Sequence, residues 1–93
     1  MHTLIFDIGK TNKKAFVFDQ DYRELHKIYV QFEEQQDEEG FLCDDLGSIQ
    51  SWIHETVNTV LPDPNFDIRA INFSSYGASL VHIDIDGKHI TPL

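Results

Sequence analysis

Positive charge is scarce in this chain: seven Lys and Arg stand against 16 Asp and Glu in 93 residues, a formal net charge of −9. That balance repels a polyanion and argues against nucleic acid as the main partner. Cysteine is scarcer still. Cys43 stands alone, so no internal disulfide forms, and the neighbouring Asp44 and Asp45 disfavour a thiolate, which argues against a catalytic nucleophile there. No apolar run approaches membrane-spanning length, and no basic stretch followed by an apolar core marks a leader after Met1, so no membrane partner is expected and the cytoplasm is the default compartment. His2, His26, His54, His82 and His89 lack ligand spacing, which speaks against a structural zinc. What is present, 41% hydrophobic and 12% aromatic residues, suffices for one domain with a modest core.

Periodicity divides the chain into strands, one helix and short turns. Thr3 to Ile8 reads as a central strand buried on both faces and Lys14 to Phe18 as its hairpin partner, followed by a turn at Asp19-Gln20-Asp21. From Glu24 to Glu33, Ile28, Val30 and Phe32 alternate with polar residues and with Tyr29, the pattern of a half-buried edge strand. The acidic stretch from Glu33 to Gly40 breaks both periodicities and is expected to be a solvated loop. A helix follows, capped by Asp44 or Asp45. Leu46, Ile49, Trp52, Ile53, Val57, Val60 and Leu61 fall on one stripe before Pro62-Asp63-Pro64 stops it, and Trp52 reads as a core anchor. Ile68 to Ser74 returns as a strand parallel to an earlier one. Leu80 to Asp84 and Lys88 to Ile90 read as a hairpin across the two-residue turn Asp86-Gly87.

Chemistry concentrates at the first turn. Leu4, Ile5, Phe6 and Ile8 surround Asp7, a carboxylate that costs several kcal/mol in a buried strand unless a cation or hydrogen-bond donors meet it. Gly9 permits close backbone approach to a ligand, Thr11 and Asn12 bring donors, and Lys10, Lys13 and Lys14 put three of the seven basic residues within five positions. This is the composition of a hairpin built around a phosphate. Gly9-Lys10-Thr11 also matches the end of a Walker A loop, but that pattern needs a Gly where Leu4 stands and a helix where Ala15 to Phe18 reads as a strand. Asp84-Ile85-Asp86-Gly87 lacks the spaced ligands and terminal Glu of a calcium loop and reads as a turn.

The pattern Asp7-Ile8-Gly9-x-Thr11-x-x-Lys14, followed by apolar residues and Phe18-Asp19, resembles the first phosphate motif of the sugar kinase, Hsp70 and actin superfamily, and most of all that of the FGGY carbohydrate kinases. The run from Ala70 through Ser74-Ser75-Tyr76-Gly77-Ala78 to Asp84, with Asp86-Gly87-Lys88 and Thr91-Pro92-Leu93, is similar to the next landmark of those enzymes, where a strand and a small-residue turn present side chains to the sugar. An aromatic followed by Gly there is similar to the rhamnulose and fuculose kinases. The resemblance implies a ribonuclease-H-like (actin-like ATPase) α/β mixed sheet, with residues 1–93 as part of the first domain of a larger two-domain enzyme. It implies ATP and Mg²⁺ as cofactors, with Asp7 holding the metal and Asp7, Gly9, Lys10, Thr11, Asn12 and Lys14 meeting the nucleotide. Ser75, Tyr76, Gly77 and Ala78 would meet a small-molecule sugar.

Each assignment has a structural counterpart. Asp7 could close its own hairpin on backbone N–H groups, Lys14 could be a solvated strand-end charge, and Tyr76 a packed rim aromatic. Lys10 departs from the commonest motif, which has a hydroxyl residue there. It either makes a charge-assisted phosphate contact or points to solvent. The catalytic base, the second phosphate motif and the adenosine site are expected beyond residue 93. The leading expectation is therefore ATP-dependent phosphorylation of a ketose or polyol by the full-length protein, with the 93 residues inactive by themselves. The alternative is a non-catalytic nucleotide-binding or assembly module of the same fold. A ribonuclease-H-like nuclease needs further carboxylates converging on Asp7, and Ala70 to Ser75 carries none. Homo-oligomers are expected through apolar surface around Ile83, Ile90 and Leu93.

Overall fold

The computed structural model describes residues 1–36, 38–40, 42–43, 45–77, 81–88 and 90, with Leu42 and Cys43 described by backbone alone. The expectations placed on Asp44, Ala78, Leu80, His89, Leu93 and the Cys43 side chain lie outside the described residues. Three strands open the chain as an antiparallel meander: β1 (His2–Ile8), β2 (Lys13–Phe18) and β3 (Glu24–Val30). A helix, α1 (Leu46–Val60), then carries the chain back so that the strand Ile68–Ser75 pairs in parallel with β1. Among the described residues the main sheet runs β3, β2, β1, then that returning strand. This is the mixed α/β sheet expected from the alternation of periods.

Leu4 and Phe6 are fully buried, and Ala15 and Val17 nearly so, because these alternate residues of β1 and β2 face α1. Thr3, Ile5 and Asp7, on the opposite face, are only half-buried, so β1 is covered fully on one side and not, as its apolar run suggested, on both. Trp52 anchors the helix as expected, its ring edge-on to Phe6 at 5.5 Å. Ile49, Trp52, Thr56 and Val60 form the buried stripe of α1. Leu61 departs from the expected stripe: it is the C-cap, past the last turn, and is exposed.

Two further departures concern connections. β3 ends at Val30, and Phe32 packs against the core from outside the strand. The acidic stretch is not wholly loop. Gln35–Gln36 (β4) pairs antiparallel with Leu42–Cys43 (β5), around a turn where Gly40 has φ of 85°. Even a polar surface segment has backbone groups to satisfy, and a short ladder does so locally. The returning strand is therefore β6. Gln35 Nε2 donates to Asp45 Oδ2 at 3.1 Å, which ties β4 to the start of α1. Asp45 is the N-cap: its Oδ1 accepts from Ser48 N at 3.1 Å and its Oδ2 from Ser48 Oγ at 2.6 Å.

One turn geometry occurs twice. At Asp19 to Arg23, Asp19 N donates to Arg23 O and Tyr22 N to Asp19 O, while Asp19 Oδ1 accepts from Asp21 N and Arg23 N. At Asp84 to Lys88 the same four bonds recur, with Gly87 where Tyr22 stands. The second turn is thus a three-residue connection over Ile85, Asp86 and Gly87, not the two-residue turn expected at Asp86-Gly87. The favoured two-residue turns need positive φ at the first central residue, and here Asp86 is not in that region while Gly87 has φ of 83°.

Tyr22 carries φ of 63° in the position that Gly87 fills in the matching turn, and its side chain is 88% exposed, so packing gives no compensation. Tyr22→Gly should raise stability by about 0.5–1 kcal/mol in chemical denaturation, since relief of left-handed strain outweighs the added chain entropy. Hydrogen bonds from Ser48, the side chain and then the backbone N–H, hold the Asp45 carboxyl below its ordinary value, and the backbone N–H of Arg23 does most to lower Asp19. Groups depressed in the folded state contribute stability that is present above their unfolded pKa and lost as pH falls through the folded one. Thermal stability should therefore decline on acidification below pH ~4, and Asp45→Ala should lower the neutral-pH Tm while flattening that decline.

Candidate functional site at the sheet end

Asp7 is near the carboxyl end of β1, on the face opposite α1, because Phe6 before it is committed to the helix side. Register fixes its neighbours. Lys14 of β2 and Ser74 of β6 both pair with Asp7, and Tyr29 of β3 pairs with Lys14, so Tyr29, Lys14, Asp7 and Ser74 form one row across the sheet. The adjacent row, Val30, Lys13, Ile8 and Ser75, belongs to the α1 face. The Asp7 carboxylate is half-buried and has no hydrogen-bond or ion-pair partner among the described residues. The alternative in which it closes its own hairpin on backbone N–H groups therefore finds no support.

The turn after it is held from within. A Cβ on Gly9 would lie 2.6 Å from the Asn12 carbonyl oxygen. The close approach that demands glycine is thus to the chain itself, where the sequence suggested approach to a ligand. Asn12 Oδ1 accepts a 2.7 Å hydrogen bond from the Tyr29 hydroxyl, and Lys13 Nζ donates to the Lys10 carbonyl at 2.8 Å. Lys10 and Thr11 are exposed at the tip, and neither they nor Lys14 has an anionic partner among the described residues.

Parallel pairing brings the second group of expected residues to the same place. The ladder of β1 and β6 continues past Ser75 through Tyr76 N, which donates to Ile8 O at 3.2 Å. Tyr76 is half-buried, Ser75 and Gly77 are exposed, and the space beside Gly77 is open. Asp7, the Gly9 to Asn12 turn, Lys14 and Ser75 to Gly77 therefore converge at the carboxyl ends of two adjacent parallel strands, the usual ligand edge of an α/β sheet. Ala78 lies outside the described residues. Sequence reasoning counted Lys13 among the basic residues of the turn but gave it no contact, and it did not assign Tyr29 to the site. Lys13 had a signal, its place in the buried alternation with Ala15 and Val17; Tyr29 had none until register placed it opposite Lys14.

No protein-family model matches the chain, and no curated protein matches it significantly in sequence. Solved structures do match. Xylulose kinase from Lactobacillus acidophilus superposes with a TM-score of 0.81 at 21% identity, covering 98% of this chain and 19% of that one. The fold is that of carbohydrate kinases. Gluconate kinase from Lactobacillus acidophilus gives 0.78 at 21% identity over 99% of this chain and 19% of that one, and a carbohydrate kinase from Novosphingobium aromaticivorans gives 0.79 at 20% over 96% and 18%. The chain spans about a fifth of the length of these structures, so the likeness establishes the actin-like ATPase fold of this segment.

Because the Gly9 approach is to backbone, which yields less readily than a side-chain tip, Gly9→Ala should force the turn open. A loss of roughly 1–3 kcal/mol in denaturant unfolding is expected, together with changed amide shifts confined to the turn and the ends of β1 and β2.

Proposed function

We propose that the full-length protein is an ATP-dependent carbohydrate kinase and that residues 1–93 form part of its N-terminal domain. One observation carries this reading. In a carbohydrate-kinase fold, a carboxylate with no partner among the described residues, a donor-rich turn and a polar strand end meet at one end of the sheet. The acceptor is read as a ketose or polyol. Two of the similar structures are named as kinases of xylulose and of gluconate, and the aromatic-Gly pair at Tyr76-Gly77 points toward a deoxy-ketohexose.

The residues fit the implied cofactors. Mg²⁺ commonly takes one or two carboxylates and completes its shell with phosphate oxygens and water, and Asp7 is a carboxylate without a protein partner among the described residues. Bound Mg²⁺-ATP would supply the transferable phosphoryl group and the neutralising charge on its oxygens. The work of this chain is positioning. Asp7 would orient the metal. The turn from Gly9 to Asn12 would hold phosphate oxygens with backbone N–H groups and the Thr11 hydroxyl, and Lys10 and Lys14 would oppose the charge. Ser75, Tyr76, Gly77 and Ala78 would line the acceptor pocket. The base that accepts the acceptor hydroxyl proton is read as an Asp beyond residue 93.

A polyanion such as nucleic acid is not a partner in this reading, nor is a membrane; no helix among the described residues is long and apolar enough to cross one. The cytoplasm is the compartment proposed. The exposed Ile83, Ile85 and Ile90 are read as surface that self-association would cover.

A coupled kinase assay on the full-length protein with pentuloses, deoxy-ketohexoses, gluconate and glycerol tests the reading. Asp7→Ala should lower kcat on the best acceptor by roughly 10²-fold or more with the fold intact by circular dichroism, and Thr11→Ala should cost less. Changes at Tyr76 should shift acceptor preference. Near-wild-type kcat in Asp7→Ala would overturn the role given to Asp7, and failure of the wild-type protein to phosphorylate any of these acceptors would favour the non-catalytic nucleotide-binding or assembly module.

A further inference from the structure

The turn from Gly9 to Asn12 is gripped from both faces of the sheet by residues with no place in the reading above. Lys13 starts β2 on the α1 side and is 1% exposed, although it carries a positive charge. Burying an ammonium is costly unless its protons are satisfied, and one of its bonds is to the Lys10 carbonyl at 2.8 Å. A carbonyl held inward on one side of a tight turn leaves the intervening backbone N–H groups less freedom to reorient. Tyr29 acts from the other face. Its ring stands 53% exposed on β3, and its hydroxyl donates to Asn12 Oδ1 at 2.7 Å. With Oδ1 engaged as an acceptor, the Asn12 amide N–H₂ group is fixed in orientation, and it has no acceptor among the described residues.

We propose that Lys13 and Tyr29 are positioning residues that pre-organise the Gly9 to Asn12 turn for an oligophosphate, with the Asn12 side-chain amide as an additional phosphate donor. The proposal rests on the phosphate-turn reading above. Neither residue touches the phosphates; each removes a motion that binding would otherwise have to freeze. The anion preference follows from chemistry. The donors are N–H groups and an O–H, and Lys10 and Lys14 are nearby cations with no anionic partner among the described residues.

The experiment is steady-state kinetics of the full-length protein with Tyr29→Phe and Lys13→Met, each matched to the side chain it replaces in length and burial. Losing one clamping hydrogen bond should raise the KM for Mg-ATP roughly three- to tenfold, with the acceptor KM unchanged and kcat lowered less than the nucleotide KM is raised. Calorimetric titration with Mg-ATP should show the same weakening. If both variants keep a nucleotide KM within twofold of wild type, the clamp is wrong while the turn assignment, tested separately by Asp7→Ala, stands. If nucleotide and acceptor KM rise together, the two residues are merely structural and the proposal fails. If wild type neither binds nor uses Mg-ATP, the phosphate-turn reading and the clamp fall together. Should Lys13→Met not fold, Tyr29→Phe decides, since its exposed ring loses only the hydroxyl.

Discussion

Phe6 is the side chain on which the sheet's register depends. It is fully buried, edge-on to Trp52 of α1 and stacked at 4.9 Å on Phe73, its partner in β6. One ring thus joins the helix to the two parallel strands, and aromatic pairs of this kind contribute about 0.5–1.5 kcal/mol each beyond the area they bury. Because strand side chains alternate, Phe6 on the helix side requires Asp7 on the other. A one-residue slip would drive the carboxylate into the core and expose the ring. The location of the candidate site is therefore a by-product of core packing.

Carboxylates are plentiful in this chain, and the structural ones are engaged. Asp19, Asp45, Asp63 and Asp84 each accept backbone N–H bonds in turns or at the helix start, and Asp67 is bridged by Arg69 at 2.8 Å. Asp7 has no such partner among the described residues. Composition alone makes every acid look alike; hydrogen bonding marks those that close turns, and Asp7 differs from the exposed remainder in standing half-buried at the carboxyl end of β1.

Net charge and local charge also part ways. The chain carries −9 overall, yet Lys10, Lys13 and Lys14 gather at one end of the sheet. At physiological ionic strength charges beyond about 8 Å are largely screened, so a small anion at the turn responds to these lysines more than to distant acids. Lys13 and Lys14 leave β2 on opposite faces, which divides their roles: one supports the turn from the core side and the other shares the row with Asp7.

The order of β1, β2, β3, α1 and β6 and the end of the helix at the Pro-containing turn were legible in the sequence, because strand and helix periods differ and Pro62 and Pro64 cannot extend a helix; the β4 and β5 pair was not. The Asp7 to Lys14 motif was legible too, since an acid after an apolar run followed by Gly is a local pattern. Tertiary structure decided what depends on register across distant segments. Tyr29 reaches Asn12 across 17 positions, and Tyr76 meets Ile8 only because β6 lies parallel beside β1. It also decided that Lys13 is buried and that Gly9 is needed to clear the Asn12 carbonyl. Periodicity says which side chains share a face of one strand; it carries no information on which residue of another strand lies opposite, and that pairing is what brings the site together.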